Sequence, residues 1–147
     1  MVDSHDLAYM AGIVDGEGHI SLNHQNTNTQ FKVVLGVTNT DHRVVNWIQH
    51  RWPGSVDIRQ YQDVGRKFTN PGTVLKPRIQ WRLIGQKAID VIQLIRPWLV
   101  IKGEQADIAI SFWELHEEYE VHSGVSVPQE YIDIASSMWD RMRVLHE

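Results

Sequence analysis

The amino-acid sequence predicts an α+β domain in which one four-stranded antiparallel sheet is covered by helices on one face. Three observations carry this. The apolar period switches between about 3.6 and 2 along the chain, in the order helix, two strands, helix, two strands, helix. Within each strand pair the connection is polar or contains Gly and Pro, which reads as a hairpin. The 147 residues, 42% of them apolar, supply a single core.

The elements follow in order. Residues 5–16 read as a helix, with Asp3, Ser4 or Asp6 to cap it and Leu7, Met10, Ile13 and Val14 at helical spacing. Residues 19–24 alternate strictly, with Ile20 and Leu22 opposed to His19, Ser21 and Asn23. A polar turn at 25–29 leads to a second strand over 30–38. Thr40 or Asn39 is placed to cap a helix carrying Val44, Ile48 and Trp52, and Pro53-Gly54 ends it. Residues 55–61 and 78–84 alternate again, around a loop over 62–75 with Gly65, Pro71 and Gly72. A helix over 86–96 stops at Pro97, and a longer one spans 104–121 with Ile108, Phe112, Leu115 and Tyr119 inward. Ser126 and Gln129 fit a capping box for a last helix, over about 127–146, with Tyr131, Ile134, Met138, Met142 and Leu145 inward.

The open face of such a sheet carries His19, Ser21, Asn23, Gln30, Lys32, Arg59, Tyr61, Arg78, Gln80 and Arg82. This register is amide-rich and basic and holds no acid, and its Asn, Gln, Arg and Lys are the side chains that bond base edges in the major groove. An ordinary solvated face, by contrast, mixes both signs. A one-residue slip would exchange the two faces.

Net charge alone argues against nucleic acid. The chain holds 14 Lys and Arg against 18 Asp and Glu. The distribution reverses that. Residues 1–18 hold four acids and no Lys or Arg, residues 19–102 hold twelve basic residues and four acids, and residues 103–147 hold two basic residues and ten acids. A central block at +8 is what a phosphate-facing surface requires, although strands and helices can also simply differ in surface charge.

Other classes fall away. With no cysteine, a disulfide framework and a Cys-containing zinc site are excluded, and an intracellular setting fits. No apolar run reaches membrane-spanning length, and MVDSHDLAYM lacks the basic start of a signal peptide. The eight histidines show no metal-ligand spacing, and the six tryptophans sit at core spacing.

The first helix is unusual. Ala8, Gly12 and Gly16 form a stripe of small residues, and each interior glycine costs a helix roughly 1 kcal/mol. Close approach of a second backbone compensates such a cost, and the natural partner is the same helix of a second copy. The helix ends in Asp15-Gly16-Glu17-Gly18, with acids at the negative end of its dipole. Two copies of Glu17 with nearby backbone carbonyls make an all-oxygen site suited to Mg²⁺ or Ca²⁺. The alternative is a Gly-rich helix end with exposed acids.

Met10-Ala11-Gly12-Ile13-Val14-Asp15-Gly16-Glu17-Gly18 resembles, without a gap, the signature of the LAGLIDADG homing endonucleases. The αββαββα order is that family's fold, here over about residues 5–121, with a saddle-shaped sheet. Val37-Thr38-Asn39-Thr40-Asp41 resembles the segment that opens the family's second helix. Pro97-Trp98-Leu99 followed by Lys102 resembles the one that carries its basic lysine. Residues 1–147 then form one such domain, and a single motif implies a homodimer. The resemblance implies that Glu17, assisted by the Gly16 carbonyl, binds Mg²⁺, with Mn²⁺ able to substitute and Ca²⁺ binding without supporting cleavage. It implies that Asn39 orients the attacking water, through a bridging water because Asn is shorter than the usual Gln. Arg43 and Lys102 are implied to face the phosphate, and the sheet face to read double-stranded DNA at a long, roughly palindromic target.

Ala8, Gly12 and Gly16 fit the dimer interface, with Asp15 accepting hydrogen bonds from the partner helix terminus. The implied setting is a bacterial, archaeal or phage-infected cytoplasm, or an organelle, with no membrane and no small-molecule cofactor. An RNA-binding intron maturase and a DNA-binding regulator that has lost catalysis are the alternatives. Retention of Glu17, Asn39 and Lys102 together argues against the regulator.

Overall fold

The computed structural model describes residues 2–24, 30–59, 76–122 and 126–147. Its elements are α1 (Ser4–Glu17), β1 (Gly18–His24), β2 (Phe31–Asn39), α2 (His42–Arg51), β3 (Ser55–Arg59), β4 (Arg78–Ile84), α3 (Gln86–Ile95), a 3₁₀ turn (Arg96–Trp98), α4 (Gly103–Glu118) and α5 (Gln129–Leu145). The expected αββαββα order is present, followed by two further helices.

The four strands form one antiparallel sheet in the order β1-β2-β4-β3. Ile20 pairs with Leu35, and Leu35 with Leu83; Val37 pairs with Trp81. These side chains therefore share one face, and all are buried beneath the helices. Trp81 is wholly buried, and its indole N–H donates to the Trp52 carbonyl at 2.9 Å. β3 is an outer strand. Its Val56 and Ile58 lie on the core side of the register but remain exposed.

α1 runs into β1 without a loop. Asp3 and Asp6 form a capping box at its start, with Asp6 N–H donating to Asp3 Oδ1 at 2.9 Å. At its end, a Cβ added to Gly18 would lie 2.8 Å from Val14 Cα and 3.0 Å from the Gly36 carbonyl oxygen. Glycine is what lets helix end and strand start meet.

Three local expectations are corrected. Asp41, not Thr40 or Asn39, caps α2; its carboxylate accepts from Arg43 N–H at 2.9 Å, while Asn39 Oδ1 accepts from Asp41 N–H at 2.8 Å. The Asn39 side chain thus closes an Asx turn ahead of the helix. Ser126 and Gln129 do not form a capping box. α5 starts at Gln129 behind Pro128, whose ring disfavours helical backbone at Val127. The tryptophans divide: Trp81 is core, Trp47, Trp52, Trp113 and Trp139 are half-buried at its margin, and Trp98 is exposed.

Candidate nucleic-acid interface and active site

α1 delivers its last residues to one end of the sheet. Gly18 pairs with Val37, so Glu17 arrives at the end of β2 that carries Asn39. The Asp15 carboxylate accepts three backbone N–H bonds, from Val100 at 2.8 Å, Ile101 at 3.1 Å and Lys102 at 3.0 Å. Lys102 returns the contact, donating from Nζ to the Asp15 carbonyl oxygen at 2.7 Å. A cation on the last carbonyls of a helix offsets its negative end. Glu17 is exposed, and no side chain among the described residues bonds it. The structure therefore brings Glu17, Lys102 and the Asn39 end of β2 together.

Within this chain the Asp15 carboxylate already accepts from the 100–102 turn. The sequence carried no sign of this, because the donors are main-chain groups more than eighty residues away.

Asn39 has a constrained role. Its Oδ1 is already accepting from Asp41 N–H, so its amide nitrogen is the group left to orient a water or phosphate. Arg43 is 83% exposed along its side chain, and its guanidinium is gripped by Asp41 at 3.0 Å from Nε and 2.7 Å from Nη2. This contact holds the Asp41 carboxyl far below the usual carboxylate range. A phosphate approaching Arg43 competes with that carboxylate.

The open face of the sheet holds His19, Ser21, Asn23, Lys32, Arg59, Arg78, Gln80 and Arg82 in one register. Gln30 immediately precedes β2 and is exposed. Tyr61 lies outside the described residues. Asp57 also belongs to this face, two residues before Arg59, with a carboxylate oxygen 3.8 Å from Arg82 Nη2. The face is not free of acid. The period of two along β3 is the signal that places Asp57 there.

His19, Gly36, Arg82 and Ser55 form one row across the four strands. The His19 ring lies over Gly36, where a Cβ would collide with it. Burial, followed by repulsion from His146, Arg82 and Lys102, pushes the His19 imidazole below its usual range. Burial does the same to His116, whose ring stacks on Trp113. In the unfolded chain both rings take up protons near pH 6.5, while the folded chain resists until lower pH. The unfolded state thus binds more protons in this window. Stability is expected to fall as pH drops below about 6.5, and His116→Gln is expected to flatten that fall in urea titrations between pH 7 and 5.

The small-residue stripe of α1 is bare. A Cβ at Gly12 or Gly16 would meet nothing within 4 Å, and Ala8 is half-buried. Val100 and Ile101, held beside the same helix end by Asp15, are 87% and 69% exposed.

No protein-family profile matches the chain, and no curated protein sequence matches it. Solved structures do match. The homing endonuclease I-CvuI, in complex with its target in the presence of calcium, gives a TM-score of 0.69 at 18% identity, over 96% of this chain and 82% of that one. The LAGLIDADG homing endonuclease I-GzeII, in complex with its DNA target, gives 0.65 at 13% identity, over 90% of this chain and 43% of that one. The group I intron-encoded homing endonuclease I-CeuI, complexed with DNA, gives 0.60 at 16% identity, over 97% and 68%. The fold is that of the LAGLIDADG homing endonucleases.

Proposed function

We propose that this protein is a homodimeric, divalent-metal-dependent endonuclease that cuts double-stranded DNA at a long, roughly palindromic site. The observation that carries this reading is the convergence of Glu17, Lys102 and Asn39 at one end of a sheet whose open face is rich in Arg, Lys and amide side chains. The DNA-bound relatives of the same fold support it.

Among the described residues no three His, Asp or Glu side chains cluster to hold a metal. The donor set fits a hard divalent cation once a second copy is added: two exposed Glu17 carboxylates and the Gly16 carbonyls are all oxygen. Such a cation would activate a water and stabilise the leaving 3′ oxygen. The remaining work falls to this chain's own groups. Lys102, already at the helix end, places positive charge against the scissile phosphate. Asn39 orients the attacking water through its amide N–H. Arg43 exchanges its Asp41 carboxylate for a phosphate oxygen. The sheet of each copy reads one half-site.

The bare glycines of α1 support the dimer. On gel filtration the protein is expected to run as a dimer at micromolar concentration, and Gly12→Leu as a monomer, because a bulky side chain blocks close helix approach. A wild-type monomer removes the composite site. The function itself is tested by selecting cleaved sites from a random duplex library with Mg²⁺. Sequence-selective binding without any cleavage would replace the nuclease with a DNA-binding regulator, and selective retention of structured RNA alone would replace it with a maturase.

A further inference from the structure

Among the described residues, Asp57 is the one acid that the sheet register places among the basic side chains of the open face. It pairs with Gln80, which in turn pairs with Thr38, so it stands in a row of hydrogen-bonding side chains. Its side chain is 53% exposed. Its contact with Arg82, at 3.8 Å, is an ion pair beyond hydrogen-bond length. Arg82 Nε is buried with no partner among the described residues. Acceptor and donor lie side by side, both partly exposed along their side chains, and at 3.8 Å no hydrogen bond joins them. An acid so placed also repels phosphates, so it contributes nothing to non-specific attraction.

We propose, resting on the DNA-binding reading above, that Asp57 determines specificity by reading a cytosine in the major groove. A carboxylate only accepts hydrogen bonds. Guanine and thymine present acceptors to it at O6, N7 and O4, and are repelled. Adenine presents its N6 donor beside the N7 acceptor. Cytosine presents its N4 donor beside a C5–H, with no acceptor on that base's edge. The guanine paired with that cytosine presents O6 and N7, which match the Arg82 guanidinium. The Asp57–Arg82 pair thus has the donor and acceptor order of a C·G pair, and rejection of the other bases comes from repulsion as much as from attraction.

The test is selection by binding from a random duplex library, with wild type, Asp57→Ala, Asp57→Asn and Asp57→Glu in parallel. Wild type is expected to require cytosine at one position in each half-site. Asp57→Ala is expected to lose roughly tenfold of that preference with the other positions unchanged. Asp57→Asn admits adenine, which an amide bonds at N6 and N7, and Asp57→Glu retains cytosine. Thermal melts establish that the variants fold, and the near-isosteric Asn variant carries the test if Ala does not fold. If Asp57→Ala binds every sequence more tightly with the same base preferences, Asp57 is only the counter-charge of Arg82 and the inference is overturned while the DNA reading stands. A wild-type protein that selects no DNA sequence overturns both.

Discussion

Replacing Glu17 by Gln is expected to lower DNA cleavage on the order of 10³-fold or more while leaving DNA affinity within about tenfold of wild type. The two side chains have the same shape, so the end of α1 and its junction with β1 at Gly18 are undisturbed. The amide has no charge with which to hold a divalent cation. Stability is expected to move the other way. Glu17 sits at the negative end of the α1 dipole, in the last turn of a helix with no basic residue there, with Lys102 approaching from outside. Removing the carboxylate relieves that repulsion, so the variant should melt slightly higher than wild type. Nicking assays with Mg²⁺, binding by gel shift, and thermal melts read the three quantities separately. Cleavage at the wild-type rate would remove Glu17 from the metal site.

Most helices and strands were legible because burial on one face imposes a period, which is clear in β1 and β4, although β2 is buried on both faces from Val33 to Val37 and β3 is exposed throughout. Ile20, Leu22, Ile79, Trp81 and Leu83 could be placed inward from alternation alone. The helix starts were less legible. At α2 three consecutive candidates, Asn39, Thr40 and Asp41, have suitable side chains, and only the tertiary position of the turn makes Asp41 the cap and Asn39 its brace. At α5 a proline overrode a plausible capping box. The sheet register told more than was read from it: the alternation that places Arg59 on the open face places Asp57 there too. Two features were beyond sequence reading. The grip of Asp41 on Arg43 is a rotamer choice between neighbours two residues apart. The service of Asp15 to the 100–102 turn joins main-chain groups to a side chain across the molecule, and main-chain groups carry no sequence signal.

That last contact gives Asp15→Ala a large expected effect on the fold for a side chain outside the apolar core. α4 begins at Gly103 behind Lys102, with no side-chain cap of its own. The Asp15 carboxylate, reaching across from α1, accepts the Lys102 N–H and the two N–H groups before it, and places a negative charge near the positive end of α4. It anchors the turn that leads into α4. Removing it leaves three donors to seek water and frees the turn that carries Lys102. A loss of about 2–3 kcal/mol is expected in urea denaturation, in the range for charge-assisted hydrogen bonds on a partly exposed turn. Asp15→Asn keeps an acceptor oxygen for Ile101 and Lys102 but drops the charge and the Val100 bond, so about half of that loss is expected. Lys102→Ala supplies the contrast. It removes the ammonium from the end of α1 and leaves the three Asp15 carboxylate bonds in place, so it should cost less stability than Asp15→Ala while cleavage falls. If Asp15→Ala is as stable as wild type, the turn is held by its own packing and the carboxylate is incidental. If Asp15→Ala and Lys102→Ala lose equal stability, the Nζ contact with the α1 carbonyl, and not the carboxylate, is what ties α1 to the 100–102 turn.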